Sequence, residues 1–314
     1  MINVGAEAER NIKSAIIRIN MKERDNKLAF ISVILAAIFG GGIAVFGKIG
    51  LKQIPPFSFT FFRFFIASIC MLPFVLKEKQ KIDKNILKIV LFSLLGVANV
   101  TLFAFGIRLT TATVSQMLYA IVPVIAAIFS YLLLKEKINS KKIKGIFLGL
   151  VGVFILIFLP ILGKSSSFTG NFLGNMIILL AVFSFTFYTV LSKRFHRYYS
   201  PLTLTFILSL TTTVVLSFFF IRDYFINPNW LYNLSLLSIF STFYVGVFGG
   251  AAYYLLYQYA IKHGTPIIAS MTMYLQPMAT FFWAFFLLSE RLTMGIIVGG
   301  LLAIGGAWMV TRKK

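Results

Sequence analysis

Residues 113–156 read TVSQMLYAIVPVIAAIFSYLLLKEKINSKKIKGIFLGLVGVFIL, and residues 267–310 read IIASMTMYLQPMATFFWAFFLLSERLTMGIIVGGLLAIGGAWMV. A shift of 154 positions lays Pro123 on Pro277, Leu133-Leu134 on Leu287-Leu288, Glu136 on Glu290, Gly145 on Gly299 and Gly152 on Gly306. Nine of the 44 positions are identical, and they fall at the punctuating residues. One apolar segment written twice, with a proline deep in a helix of each copy, implies a membrane carrier built from repeats.

Composition agrees. Of 314 residues 59% are hydrophobic and 12% charged, about half the charge of an ordinary soluble domain. Ten apolar spans are expected, at 28–50, 57–76, 86–107, 112–134, 143–162, 172–192, 201–221, 234–259, 265–288 and 294–311. Each is read as a helix, because lipid cannot satisfy an open sheet edge. Residues 163–171, GKSSSFTGN, have the composition of a linker. The expected organisation is therefore a cytoplasmic tail (1–27), a first five-helix repeat (28–162), the linker, a second repeat (172–311) and a cytoplasmic C-terminus (312–314). The tail lacks the apolar stretch of a signal peptide.

The net charge of +21 does not signal nucleic acid, because the basic residues cluster in short loops. With the N-terminus inside, 23 Lys and Arg lie on the inner side and six on the outer. Both termini are then cytoplasmic, in a cell membrane. Five spans per repeat is an odd number, so the second half inserts upside down. The charges follow: five lysines trail span 4, and Arg291 alone lies close after span 9. The fold class expected is an all-α membrane protein with ten transmembrane helices as two inverted five-helix repeats.

The run YAIKHGTPIIASMTMYLQPMATFFWAFFLLSERLTMGIIVGGLLAIGGAWMV, Tyr259 to Val310, resembles the EamA type of the drug/metabolite transporter superfamily. Its small-residue helix, mid-helix proline, closing Glu and Gly-rich last helix match that pattern, and Thr113 to Leu156 repeats it. FGGGIAVFGKIGLKQIPPFSFTFFRFFIA, residues 39–67, is similar to the opening helix pair, Arg63 included. The resemblance implies two tandem EamA domains and transport. It is nearly silent on substrate.

Pro123 and Pro277 lie near the middle of spans 4 and 9, where each frees the carbonyl four residues earlier, of Tyr119 and Met273. A bend and a midplane site are expected there, against the alternative of a plain kink. Around them stand polar groups at helical spacing. Thr272, Gln276 and Thr280 stripe span 9, while Gln116 and Tyr119 share a face of span 4. Ser184, Tyr188 and Ser192 do so on span 6, Tyr253, Tyr257 and Gln258 line span 8, and Asn99 is the lone amide of span 3. Such side chains face the bundle interior. Asn99, Gln116, Tyr119, Tyr188, Tyr253, Tyr257, Gln258, Thr272 and Gln276 are taken as the substrate cavity, with interhelical hydrogen bonding as the competing reading of each.

Arg63 is the one basic residue well inside a span. It is read as bonding helix-end carbonyls and holding the fold, with its side chain turned outward, a counter-charge for an anionic group or a gate residue being the other reading. Glu136 and Glu290 are read as membrane-edge residues bonding backbone or the adjacent Lys137 and Arg291. Gly145, Gly149 and Gly152 in span 5, with Gly299, Gly300, Gly305 and Gly306 in span 10, suit an inter-half seam or a dimer face.

No Asp or Glu lies mid-span, and His196 and His263 fall in loops. Proton- or sodium-driven carriers generally use such groups at depth, so facilitated export or exchange is favoured. The single cysteine, Cys70, excludes a cysteine metal cluster. Neither cofactor nor metal is expected, and the chain offers no constellation for a membrane-embedded enzyme. The expected function is secondary transport of small organic metabolites, with amino acids favoured, by alternating access of a midplane cavity. A flippase of lipid-linked intermediates is the alternative. The partners are the small-molecule substrate and membrane lipids, with the chain a monomer or homodimer.

Overall fold

The computed structural model describes residues 25, 27–78, 85–135, 139–162 and 169–311. The expected loop glutamate Glu136, the 1–24 tail, most of the linker and residues 312–314 lie outside the described residues. What is described is helical, and apolar side chains face outward: Phe218, Phe225 and Leu236 are 71%, 80% and 82% exposed. Only a lipid solvent accommodates such a surface.

Ten long helices follow in chain order. They are α1 (Lys27–Gly50), α2 (Pro56–Lys77), α3 (Asn85–Leu109), α4 (Ala112–Tyr119 continued by Val122–Leu134) and α5 (Ser140–Leu162). Then come α6 (Phe172–Phe195), α7 (Pro201–Ile226), α8 (Leu236–His263), α9 (Pro266–Leu288) and α10 (Met294–Thr311). Eight are long and apolar enough to cross a membrane; the apolar parts of α5 and α10, Ile143–Leu156 and Met294–Met309, are shorter.

The duplication is legible in backbone detail. Thr111 caps α4 by accepting from Val114 N (3.1 Å), and Thr265, 154 positions on, caps α9 by accepting from Ile268 N (3.1 Å). At the other ends, Lys135 (φ 57°) and Ser289 (φ 54°), again 154 apart, are the two non-glycine residues with positive φ among the described residues. Each repeat therefore starts and stops its fourth helix by the same device.

Symmetry mates pack on one another. The most extensive helix contacts join α5 with α10, and α2 packs along α7. The α5–α10 seam depends on glycine: a methyl on Gly152 would strike the backbone of Ala303 and Gly299, and one on Gly306 that of Gly149 and Gly145.

Glu290 binds the two halves at one membrane edge. Its carboxylate accepts from Ala112 N (2.8 Å), Thr113 N (2.9 Å) and Thr113 Oγ1 (2.8 Å), so it holds the first turn of α4. Lys48 at the end of α1 lies 3.5 Å away and donates to Thr110 O (2.6 Å). The backbone partners are thus those of a helix across the bundle, and the cation is Lys48 where Arg291 was named.

Four helices are interrupted inside the bundle. α1 turns at Gly41–Gly42, α4 at Ala120–Ile121 and α9 at Ser270–Met271, while α8 widens into a π-helix over Val245–Ala252. Pro123 sits at the second position of the resumed α4, where the break was expected. Pro277 differs, since Thr272–Leu288 runs through it and the break falls six residues earlier.

Substituting Gly152 by Leu should cost roughly 1–3 kcal/mol or more through overpacking of the seam. It should lower the melting temperature in detergent, whereas Gly47→Ala, which meets open space, should not. Glu290→Ala should lose about 3 kcal/mol and Glu290→Gln, which keeps an acceptor, about half that, in the same measurement.

Candidate functional site

The interrupted helices meet around a buried cavity. Its polar wall is Arg63 from α2, Asn99 from α3, Gln116 and Tyr119 from α4, Tyr253 and Tyr254 from α8, and Gln276 from α9. Ile43, Val100, Phe103 and Phe185 complete it. Seven helices of both halves contribute. Gly40 on α1 lets Gln276 and Tyr253 approach its backbone, where any side chain would overlap both.

Asn99 is the hub. Its Nδ2 donates to Tyr119 Oη (2.7 Å) and to Ala181 O of α6 (2.9 Å), and its Oδ1 accepts from Tyr254 Oη (3.2 Å). One amide thereby fixes two tyrosines from opposite halves. Gln116 is the contrary case: its Oε1 is buried without a hydrogen-bond partner. Such a group costs about 1–3 kcal/mol unless water or a solute meets it.

Arg63 Nη2 donates to Gly249 O (3.2 Å), a carbonyl of the π-helix, and its guanidinium carbon lies 5.0 Å from the Phe64 ring centroid and 6.0 Å from that of Tyr254. It is 5% exposed and its Nε has no partner. The expected outward-turned arginine is therefore corrected: its carbonyl is mid-helix, and its side chain lies in the cavity wall. On an insertion scale a central arginine costs roughly 2.5–3.5 kcal/mol.

All nine residues expected at the site are buried, at most 8% exposed. Asn99, Gln116, Tyr119, Tyr253 and Gln276 line the cavity. Tyr188, Tyr257 and Gln258 lie apart from it. The Phe185 ring links the two groups, 5.9 Å from Tyr119 on one side and 5.2 Å from Tyr257 on the other, and Tyr257 also lies 5.8 Å from the lining Tyr253. Beyond it, Gln258 Nε2 donates to Tyr188 Oη (3.3 Å), and Gln258 Oε1 accepts from Ser192 Oγ (3.2 Å) and meets His196 Nε2 (2.9 Å). Thr272 closes the α9 break by donating to Ala269 O (2.7 Å), and Thr280 donates to Gly41 O (2.7 Å) at the α1 break. Ser184 bonds Leu95 O of α3 (2.7 Å).

Tyr254 is the polar lining residue not named from sequence, and Arg63 was named there with the fold-holding reading favoured over a site role. Tyr254 follows directly on the π-helix, at the second residue of the regular helix Tyr253–His263, and a regular helical wheel drawn through the whole span does not place it beside Tyr253 on the cavity face. That two adjacent tyrosines follow a Gly-Gly-Ala-Ala run was the available signal.

The cavity is tight. The centre of a water-sized sphere has about 40 Å³ in which to move, room for a few waters. An organic solute needs the walls to separate. Among the described residues no group of three or more His, Cys, Asp or Glu could hold a metal ion.

Residues 27–158 and 172–312 each match the EamA-like transporter family, which is nearly the whole chain. The chain belongs to that family. It is 27% identical over 293 residues to an uncharacterized transporter of Archaeoglobus fulgidus, covering 92% of this chain and 99% of that one. It is 24% identical over 286 residues to the uncharacterized transporter YoaV of Bacillus subtilis, covering 90% and 96%. A crystal structure superimposes with a TM-score of 0.61 at 16% identity, covering 90% of this chain and 95% of the other, which shows the shared fold. The protein is a multi-pass membrane protein and a transporter of this family.

His196, just beyond α6, gives a pH test. Burial pushes its imidazole down to about 4, helped by the charges of Lys193 and Lys262, so it is neutral at pH 7. Its folded value lies below the ordinary 6.5, so the unfolded chain binds the proton first and stability falls as pH drops from about 6.5 toward 4. His196→Gln should flatten that part of the melting-temperature profile; an unaltered slope would assign the loss to other groups.

Proposed function

We propose that this chain is a secondary transporter of small organic metabolites, amino acids foremost, working as an exporter or exchanger. The observation that carries it is the polar cavity lined by helices of both halves, with the Gln116 carbonyl oxygen left unbonded in its wall. Amide and phenol groups there offer a solute hydrogen bonds and aromatic faces. Asn99, Gln116, Tyr119, Tyr253 and Gln276 contact the solute. The layer of Tyr188, Tyr257 and Gln258 beyond Phe185 forms the gate on the side of the α6 C-terminus, and α4 and α9 flex at their breaks, Ala120–Ile121 just ahead of Pro123 and Ser270–Met271 just ahead of Thr272, with Pro277 held inside the continuous part of α9.

Alternating access follows from the architecture. Rocking one repeat against the other on the α5–α10 seam would open the cavity first to one side, then to the other. No Asp, Glu or His lines it, so transport down a gradient or by exchange is favoured over proton coupling. The charge asymmetry of the loops supports a cell membrane with both termini cytoplasmic.

The test is counterflow of an amino-acid panel in proteoliposomes, with and without a pH gradient. Movement of at least one member, insensitive to the gradient, is expected. Gln276→Ala should lower kcat/KM at least tenfold with little change in melting temperature. Wild-type vesicles no more permeable than empty ones would defeat the proposal.

A further inference from the structure

The cavity holds one positive charge, and nothing on its walls balances it. Arg63 spends one N–H on Gly249 O, while its Nε is buried without a partner. The rings of Phe64 and Tyr254 attract a cation but leave its charge uncancelled. The lining residues include neither Asp nor Glu. Buried arginines ordinarily meet a carboxylate, and an unpaired one is expensive to keep.

The geometry points to a small carboxylate as the solute, its anionic group held by Arg63. This rests on the transport reading of the same cavity. A guanidinium presents its N–H groups as a fork that matches two carboxylate oxygens, so the free edge of Arg63 is a ready-made half of that pair. Gln116 Oε1, the other unbonded buried polar atom among the lining residues, takes an N–H or O–H from elsewhere on the solute. One cation and no acid set the charge: a single carboxylate neutralises the wall, and a dianion leaves an excess in a medium of low dielectric. A solute that is only an amine brings a second positive charge to Arg63 and is rejected.

The α2 position explains why an arginine is tolerated empty. The mid-depth carbonyl of Gly249, within the π-helical stretch of α8, gives the guanidinium a resting partner. A carboxylate then competes with a neutral carbonyl, which it outbids as a charge-assisted acceptor.

The full chain in proteoliposomes tests this with two matched sets, each one skeleton with its charges changed. One set is phenylalanine, 3-phenylpropionate, phenylalanine amide and phenethylamine; the other is leucine, 4-methylpentanoate, leucinamide and isopentylamine. Competition for counterflow should favour the carboxylates at least tenfold over the amides and amines of the same skeleton. Arg63→Gln should erase that preference, and Arg63→Lys, which keeps the charge and loses the fork, should retain part of it. Equal or better competition by amides or amines, or a preference that survives in Arg63→Gln, would overturn the carboxylate assignment while leaving transport intact. Equal loss of every solute in both variants, with a fallen melting temperature, would reduce Arg63 to a fold-holding residue and also overturn it. If wild type moves no member of either set and none shifts its melting temperature, the transport reading falls and takes this one with it.

Discussion

A polar backbone group set loose inside hydrocarbon must find a partner, and this bundle interrupts four of its helices. The consequences can be followed atom by atom. Thr280 donates to Gly41 O at the break in α1, Thr272 to Ala269 O at the break in α9, and Arg63 to Gly249 O in the widened α8. Asn99 reaches Ala181 O and at the same time holds Tyr119 and Tyr254. The polar interior is assembled from these obligations, and the cavity is what remains where the partners do not quite meet.

That arrangement separates two kinds of buried polar side chain. Thr272, Thr280 and Ser184 serve backbone and close the structure. Gln116, Gln276 and Arg63 keep capacity in reserve on the cavity wall. The Phe185 ring divides this wall from the Tyr188–Gln258–His196 cluster, so the polar core has two storeys rather than one.

Much of the fold was legible in the residues. The 154-residue repeat predicted paired helix ends, and the paired caps at Thr111 and Thr265 and paired left-handed residues at Lys135 and Ser289 follow it closely. The glycines of spans 5 and 10 indicated a seam because only close backbone approach makes so many of them useful. Amides and tyrosines could be placed inside the bundle by elimination, since lipid cannot satisfy them. Their height and neighbours could not. Rotation of α2 about its axis, which turns Arg63 inward, is set by packing against α7 and α8, and no local pattern encodes it. The π-helix, whose Gly249 O meets Arg63, likewise depends on tertiary contact. Pro277 misled in a third way, because α9 runs straight through it while glycine-free Ser270–Met271 turns.

The central claim is that two homologous five-helix halves lie in opposite senses across the membrane and enclose the cavity between them. Single cysteines at Lys141 and Arg291, in a Cys70→Ser background, give the most direct measurement when labelled in intact cells with a membrane-impermeant maleimide. The account predicts that the position 291 cysteine reacts from outside and the position 141 cysteine only after the cells are opened. Labelling of both from the same side would contradict it.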